Sequence, residues 1–273
     1  MSIRSNAVEN YLFDRIILTF DNLCNMQCPF CYRLFNGEKE GLEQIYKILE
    51  ECKRNKIVNI SIGGGDPLNY LYINSVIEYA YNLGFIIDLD TNCYAFNYNK
   101  HFKMLEKIEY VGVPVDGKNA ETHDLIRTKI GSFKKVIEVI ETINNKVSIN
   151  TVVTKNNYTE LIDIYNLIKQ YKNVNQWHIY EMMPLLVRKE YYLKEHVDYL
   201  KYKQIIEAIQ NEKIKIYHCA YKERTRFHMF VSASGYLYCN NKNNLTEYKF
   251  FGSIFDSKNI IKMKNYIGDN ENE

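Results

Sequence analysis

Short apolar runs rich in β-branched residues alternate with longer amphipathic segments along most of the chain. Such runs predict buried strands, whereas apolar residues spaced three, four and seven positions apart predict one buried helix face. Leu42, Ile45 and Leu49 show this helical spacing. The predicted strands are Arg15–Phe20, Ile57–Ile62, Phe85–Leu89, Tyr110–Val115, Val147–Val153 and Asn175–Met182. The predicted helices are Glu38–Arg54, Leu71–Leu83, His101–Ile108, Phe133–Asn144 and Tyr158–Tyr171.

About six strand–helix repeats predict an α/β fold whose parallel strands, joined by right-handed crossovers, close into a partial (β/α)6 TIM-like barrel. The pattern changes after Pro184, where we predict a helix over Leu193–Asn211. A hairpin of Phe227–Ser232 and Tyr236–Cys239 is predicted to follow, because Ala233-Ser234-Gly235 suits a tight turn. We therefore expect an N-terminal extension, a barrel and a small C-terminal α+β appendage at residues 1–14, 15–210 and 211–273.

Composition and charge exclude several classes of protein. The chain has 273 residues, of which 46% are hydrophobic and 25% charged, as is ordinary for a globular protein in water. A net charge of +2 gives no basic field, so we expect neither nucleic acid nor an acidic membrane surface as a partner. No run approaches the ~20 apolar residues of a membrane span. Seven cysteines, an odd number without a secretion signal, predict a cytoplasmic protein.

Three cysteines lie in one short segment directly after the first predicted strand. Cys24, Cys28 and Cys31 are spaced C-x3-C-x2-C. Protein [4Fe–4S] clusters usually have four cysteine ligands, so a loop that offers three leaves one iron open. That iron can chelate an amine and a carboxylate, and S-adenosylmethionine (SAM) carries both groups. One electron delivered to the sulfonium of SAM breaks a C–S bond.

Two other interpretations of the triplet stay open at this point. A structural zinc site needs four ligands, and no fourth Cys or His lies within about 20 residues. The nearest downstream candidates are Cys52 and His101. The three cysteines could also be core or disulfide thiols.

Polar and glycine-rich segments follow the next predicted strands, at the barrel edge where the cysteines lie. After strand two comes Gly63-Gly64-Gly65-Asp66-Pro67. Its glycines permit positive φ and close approach, so that backbone N–H groups can face a ligand, and Asp66 could accept hydrogen bonds from an ammonium. The alternative is a tight turn capped by Asp and Pro.

The third and fourth strands are followed by Asp90-Thr91-Asn92 and Asp116-Gly117. Arg127 can grip a carboxylate with its forked, permanently charged donor pair. We interpret His123 as a helix-cap residue rather than a base, and Cys93 as a packed thiol. The sequence singles out no catalytic side chain.

Together these residues resemble the radical SAM superfamily, and more narrowly its branch of molybdenum-cofactor cyclases and SPASM/Twitch maturases. The resemblance covers roughly Ile16 to Pro184. It implies a [4Fe–4S] cluster on Cys24, Cys28 and Cys31. It also implies SAM contacts by Phe30, Tyr32, Gly64, Gly65, Asp66, Asn92, Asp116 and Arg127.

Three details of the resemblance concern SAM. Phe30 matches an aromatic residue that packs on adenine, and Arg127 matches a residue that contacts the SAM carboxylate. Asp66 stands where the family has glutamate. Pro114 replaces a serine that would contact the ribose, which puts that contact in doubt.

The C-terminal region resembles the front of a SPASM or Twitch domain, which holds auxiliary Fe–S clusters. The likeness rests on Cys219, Gly235, Cys239 and the following Phe251–Phe255, but no cysteine follows Cys239. Three interpretations remain. Cys219 and Cys239 bind a second Fe–S cluster, they are ordinary core thiols, or one of them donates a hydrogen atom to a substrate radical.

The resemblance implies an enzyme that cleaves SAM reductively to a 5′-deoxyadenosyl radical, which abstracts hydrogen from a substrate. The expected substrate is a ribosomally made peptide that becomes cross-linked or epimerised. Alternatives are a small molecule or nucleotide derivative as substrate, or a non-catalytic Fe–S protein that transfers electrons or senses iron. The expected partner is a one-electron reductant such as flavodoxin or ferredoxin.

Overall fold

The computed structural model describes residues 15–20, 22–34, 41–209, 213–224 and 228–268. Their strands, numbered in chain order, are β1 (Arg15–Thr19), β2 (Asn59–Gly63), β3 (Ile86–Asp90), β4 (Tyr110–Pro114), β5 (Lys146–Val153), β6 (Val174–Glu181), β7 (Lys215–Cys219), β8 (Met229–Ser232), β9 (Tyr236–Asn240) and β10 (Tyr248–Ser253). Their α-helices are α1 (Leu42–Arg54), α2 (Ile73–Asn82), α3 (Tyr98–Leu105), α4 (Ala120–Arg127), α5 (Ser132–Thr142), α6 (Leu161–Ile168), α7 (Lys189–Glu195), α8 (Tyr199–Glu207), α9 (Tyr221–Arg224) and α10 (Ser257–Gly268). None of these helices is long and apolar enough to cross a bilayer.

The ten strands form one sheet in the order β10-β9-β8-β1-β2-β3-β4-β5-β6-β7. Strands β1 to β7 are parallel to their neighbours, and helices on one face connect most of them. The predicted α/β barrel-type fold is therefore confirmed. All six predicted barrel strands are present. They form because their β-branched residues are buried against the helices that cover the sheet.

Alternate residues of each strand face opposite sides of the sheet. On the helix side, Ile16 and Leu18 of β1 and Ile60 of β2 are almost completely buried, and they belong to the same core as Ile45 of α1. Each such side chain contributes roughly 1.5–3 kcal/mol by leaving water. The other side is the concave interior of the barrel. Several of its residues are polar, namely Ser61, Asp88, Asp90, Ser148, Asn150, Gln176 and His178.

The C-terminal third differs from the prediction. The predicted helix Leu193–Asn211 is two helices, α7 and α8, because the Asp198 carboxylate accepts a hydrogen bond from Leu200 N (2.9 Å) and caps the start of α8. Strand β7 was not predicted, since Lys215–Cys219 is a mixed polar segment at the end of the sheet. Strand β10 and helix α10 were not predicted either.

The barrel sheet continues past the predicted boundary at residue 210, because β7 pairs with β6. On the opposite side, β8 pairs in parallel with β1, so the predicted hairpin of β8 and β9 extends the same sheet. The division into barrel and appendage thus stays a prediction. The predicted N-terminal extension, residues 1–14, lies outside the described residues, as does Phe227, the first residue of the predicted hairpin.

Candidate functional site

The three cysteines lie in a loop that follows β1, which we call the cluster loop (residues 22–33). Cys31 N donates a hydrogen bond to Cys28 O (3.1 Å), so these two cysteines lie on one tight turn. Contacts from distant elements hold the loop: Arg188 Nε donates to Cys31 O (3.3 Å), and the Tyr248 hydroxyl donates to Tyr32 O (2.9 Å). The loop is therefore positioned by segments that follow it by more than 150 residues.

Nitrogen donors face two of the three sulfurs. Asn92 Nδ2 lies 3.6 Å from Cys24 Sγ, and Met26 N lies 3.4 Å from the same sulfur. Arg127 Nη1 lies 3.9 Å from Cys28 Sγ. N–H groups aimed at a sulfur stabilise a thiolate and are among the features that tune Fe–S centres. The donor set fits a cluster held by three thiolates.

Burial raises the pKa of the Cys28 thiol, and it raises the pKa of Cys31 to about 11. Without metal both thiols are thus protonated near neutral pH, and iron binding must displace their protons. Among the described residues no three His, Cys, Asp or Glu side chains are grouped so that they could hold a single metal ion. The cysteines of a cubane each bind a different iron, so their sulfurs are spread more widely than the ligands of one ion.

The glycine motif after β2 packs directly against the cluster loop. Gly65 N donates to Phe20 O (3.1 Å), and Asp66 N donates to Leu23 O (2.6 Å). Gly64 has φ +89°, and a Cβ there would lie 2.7 Å from Phe20 N. The N–H groups of Gly65 and Asp66 are thus used inside the protein, and contacts of Gly64, Gly65 and Asp66 with SAM stay predictions.

We expect Gly65→Ala to destabilise the protein by about 1–3 kcal/mol, the usual cost of overpacking, and to impair cluster assembly. A Cβ at this position would collide with the backbone oxygen of Phe20 and lie 2.5 Å from Leu23 O, so the cluster loop must shift. Urea unfolding and iron content after anaerobic reconstitution measure both effects. The matched control is Gly41→Ala, where a Cβ meets nothing within 4 Å. Equal stability and iron content in both variants would contradict the packing role.

Asp66 joins the loop after β2 to the loop after β3. Its carboxylate is fully buried and accepts hydrogen bonds from Leu68 N (2.9 Å) and Asn92 N (2.9 Å). The Thr91 hydroxyl lies 3.2 and 3.1 Å from the two carboxylate oxygens. Burial raises the pKa of Asp66 to about 6. The protein's own donors surround this carboxylate, which positions Asn92, and its expected contact with the ammonium of SAM stays a prediction.

Asp116 and Arg127 form a buried ion pair at the ends of β4 and α4. Asp116 is fully buried, and it accepts hydrogen bonds from Arg127 Nε (2.5 Å) and Val152 N (2.7 Å). The Arg127 guanidinium carbon lies 5.5 Å from the centre of the Phe30 ring. Arg127 is thus fixed between Asp116, Phe30 and Cys28, with its Nη1 towards the cluster loop. Its contact with a SAM carboxylate stays a prediction.

His123 and Asp124 explain how α4 is held. His123 is fully buried: its Nδ1 accepts from Asp116 N (3.1 Å), and its Nε2 lies 3.2 Å from the Ser132 hydroxyl. Burial lowers the pKa of His123 well below its ordinary value, so the ring is neutral and structural, as the sequence indicated. The Asp124 carboxylate accepts from Gly131 N (2.6 Å) and Phe133 N (2.8 Å) at the start of α5.

The two aromatic side chains expected to contact SAM, Phe30 and Tyr32, pack against other residues of the protein. Phe30 is buried in a small cluster with Met26, Cys28, Ile126 and Met182. The Tyr32 ring lies 6.1 Å from that of Phe230, on β8. The structure thus brings Phe30, Asn92, Asp116 and Arg127 together around the cluster loop. Packing of these rings on adenine stays a prediction.

Cys219 and Cys239 are not neighbours. Cys219 ends β7 at one end of the sheet, while Cys239 lies on β9, and seven strands lie between the two in sheet order. Cys239 is completely buried in the main core, where burial raises its pKa to about 12. Of the three interpretations, the ordinary core thiol fits Cys239. A second cluster on this pair is not supported.

Sequence reasoning missed most of the polar residues of the barrel interior, namely Ser61, Asp88, Ser148, Asn150, Gln176 and His178. The available signal was alternation, since each interrupts an otherwise apolar strand at every second position. Arg188 was missed as well, because its contact with the cluster loop depends on tertiary structure alone.

Comparison with known proteins agrees with this geometry. A family model described as "Radical SAM superfamily" matches residues 18–168, which is more than half of the chain. GTP 3′,8-cyclase of Clostridium botulinum is 25% identical over 281 residues, covering 96% of this chain and 86% of that protein. Mycofactocin maturase MftC of Mycolicibacterium smegmatis is 28% identical over 158 residues, covering 54% and 40%.

Among solved structures, native anSMEcpe with bound AdoMet and Cp18Cys peptide superposes with a TM-score of 0.64 at 16% identity. The match covers 92% of this chain and 81% of that one, and it shows that the fold is shared. The chain spans only 48–63% of the length of several other curated relatives that it matches.

Proposed function

The chain belongs to the radical SAM superfamily, and from this premise we propose that it modifies a ribosomally synthesised peptide, by cross-linking or epimerisation, inside its barrel. Membership implies an enzyme that uses a [4Fe–4S] cluster and SAM. When bound, these groups supply a 5′-deoxyadenosyl radical that can remove hydrogen from an unactivated carbon; the protein supplies binding, orientation and exclusion of water.

Each residue of the site has a proposed role in binding the cluster or SAM. Cys24, Cys28 and Cys31 would hold the cluster, with Asn92 Nδ2 and Arg127 Nη1 beside two of the sulfurs. Asp116 fixes the Arg127 guanidinium through Nε, so that its outer edge, with Nη1 near Cys28 Sγ, faces the cluster loop, where it would bind the SAM carboxylate. Asp66 holds the backbone of Asn92 in place. The electron would come from a small protein reductant such as flavodoxin or ferredoxin.

One observation carries the choice of a peptide over a nucleotide. On the described inner face Asp88 is bonded to Arg15 (3.1 Å), and Lys146 and Lys215 lie at the amino ends of β5 and β7, whereas Asp90, at the carboxyl end of β3, has no described ion-pair partner. A triphosphate held at the carboxyl ends of the strands would meet the like charge of Asp90. The maturase MftC among the relatives and the peptide held by anSMEcpe support the same choice. The nucleotide alternative draws support from the GTP cyclase, which matches nearly the whole chain.

Deuterium transfer from a mixture of cell metabolites tests the proposal, because it reveals which fraction holds the substrate. Cells that produce the protein are grown in deuterated medium, and their extract is separated into peptide and nucleotide fractions. Each fraction is added to reconstituted enzyme with unlabelled SAM and dithionite, and deuterium in the 5′-deoxyadenosine formed is measured by mass spectrometry.

We expect deuterium to appear with the peptide fraction and to be lost when that fraction is treated with protease beforehand. Treatment with phosphatase is the matched control and should leave the transfer unchanged. Transfer from the nucleotide fraction alone, abolished by phosphatase, would overturn the proposal in favour of a nucleotide derivative.

A further inference from the structure

The interior of the barrel carries polar groups that the cofactor site does not use. We call Asp90, Ser148, Asn150, His178 and Tyr217 the inner wall; they lie on strands β3, β5, β6 and β7. Two rows of paired residues cross these strands. One row runs from Asp90 through Gly112 to Ser148, and the other runs from Asn150 through His178 to Tyr217. Since paired residues share a face of the sheet, all five face the interior.

Asp90 forms no ion pair within the described structure; burial raises the pKa of its carboxyl, and the more distant Arg15 lowers it. Its carboxylate accepts a hydrogen bond from Asn150 Nδ2 (3.2 Å), and no described cation lies within salt-bridge distance of it. Arg15 is engaged instead by Asp88 and Ser61. Burial lowers the pKa of His178 to about 4, so this ring is neutral. Asp88 and Arg15 offset each other, and Lys146 and Lys215 lie at the amino ends of their strands, so Asp90 is a carboxylate without an ion pair at the carboxyl end.

A second, independent feature points to a bound group. Ser148 is only 8% exposed and faces the interior beside Gly112, and its hydroxyl forms no hydrogen bond with the described residues. Its oxygen is not fully enclosed by the protein and so opens onto the interior. A hydroxyl without a protein partner, on the same face as a carboxylate without an ion pair, suits a site for a hydrogen-bond donor.

The wall also leaves room for a side chain. Asp90 is flanked in the register by Gly63 and Gly112, and a Cβ on Gly112 would collide with Asp90 Oδ1. Asp90, Asn150 and His178 face inward and yet are partly exposed, so the space before them is open. The Tyr217 ring, 46% exposed, stacks on His178 with 4.8 Å between ring centres. Such rings can pack against an aliphatic stem or a cation.

We propose that the inner wall binds the protonated side chain of a lysine or arginine of the substrate peptide. The Asp90 carboxylate pairs with the ammonium or guanidinium, Ser148 and Asn150 accept further N–H groups, and His178 and Tyr217 contact the aliphatic stem. This inference rests on the proposed function, because it takes the barrel interior as the place of the peptide. Asn92 links the wall to the cluster loop, since it follows Asp90 by two residues and contacts Cys24.

Small probes test the preference for positive charge directly. The reconstituted enzyme with SAM is titrated anaerobically with n-butylammonium and n-butylguanidinium chloride, and with n-butylurea as the neutral counterpart. Dissociation constants are measured by ligand-detected NMR. Because close charge pairs in partly buried sites couple by more than a tenfold change in affinity, we expect the cations to bind at least about ten times more tightly than the urea.

Variants assign the preference to Asp90. Asp90→Asn, which removes the charge and keeps the shape, should reduce the preference to about twofold or less, and Asp90→Glu should retain part of it. The matched control is Asp163→Asn on the outer surface of α6, whose side chain is 53% exposed; it should behave as wild type. Equal binding of cations and urea by wild type, or an unchanged preference in Asp90→Asn, would each overturn the inference.

The same wild-type preparation separates the two proposals. If it forms 5′-deoxyadenosine from SAM and takes deuterium from the peptide fraction but shows no preference for cations, only the lysine or arginine inference fails. If deuterium comes from nucleotides instead, the proposed function fails, whatever the probes show.

Discussion

Cys28→Ala is expected to abolish SAM cleavage and to remove most of the bound iron. Cys28 is one of only three cysteines in the cluster loop, and its sulfur is the one that Arg127 Nη1 approaches. Changes in residues that merely support a metal ligand often cost 10–100-fold in affinity or activity, so loss of a ligand should lower 5′-deoxyadenosine formation by at least about 100-fold. Mass spectrometry of the product and iron analysis of anaerobically purified protein measure the two effects.

Cys52→Ala is the matched control for that experiment. Cys52 is completely buried on the core-facing side of α1, away from the cluster loop. Its replacement should cost about 1 kcal/mol of stability, as an ordinary core change does, and leave iron content and SAM cleavage intact. Equal product from Cys28→Ala and Cys52→Ala would show that Cys28 is not a ligand.

Arg127→Ala is expected to lower the free energy of unfolding by about 3–5 kcal/mol, because it leaves a buried carboxylate without its partner. Asp116 is fully buried, and the Arg127 side chain is only 12% exposed. Urea unfolding of the apoprotein measures the loss. Arg127→Lys should recover only part of it, since an ammonium cannot reproduce a forked donor pair.

The control for this pair is Lys146→Ala. Lys146 forms an ion pair with Glu109, but both side chains are about half exposed, so the loss should stay below about 1 kcal/mol. The double variant Asp116→Asn with Arg127→Met should be more stable than Arg127→Ala alone, because it contains no buried, unpaired carboxylate at position 116. If Arg127→Ala and Lys146→Ala were equally mild, the buried pair would not have the role assigned to it.

The sequence was sufficient for features that depend on local pattern. Strands β1 to β6 could be predicted because their β-branched runs are buried and bounded by helical segments. The cluster loop could be recognised because three cysteines at this spacing in one short segment already predict a cluster with three protein ligands. His123 could be interpreted as structural rather than as a base, but the predicted cap role is wrong, because His123 lies inside α4 and Asn119 caps its start.

Features that depend on tertiary partners could not be predicted. The pattern does not show that three donors of the protein itself, from Leu68, Thr91 and Asn92 on two separate loops, hold the Asp66 carboxylate. Strand β7 has no apolar run, because it ends the sheet and keeps only one neighbour. The polar residues of the inner wall are scattered over four strands, and only the register of the sheet brings them to one face.

The central claim is that three protein sulfurs leave one iron of a cluster open to SAM. Electron paramagnetic resonance of the anaerobic, dithionite-reduced protein tests it most directly, before and after addition of SAM labelled with 17O in its carboxylate. We predict the signal of a reduced [4Fe–4S] cluster that changes when SAM is added, with hyperfine coupling to the labelled oxygen. A signal that SAM leaves unchanged, without coupling to the label, would contradict the account.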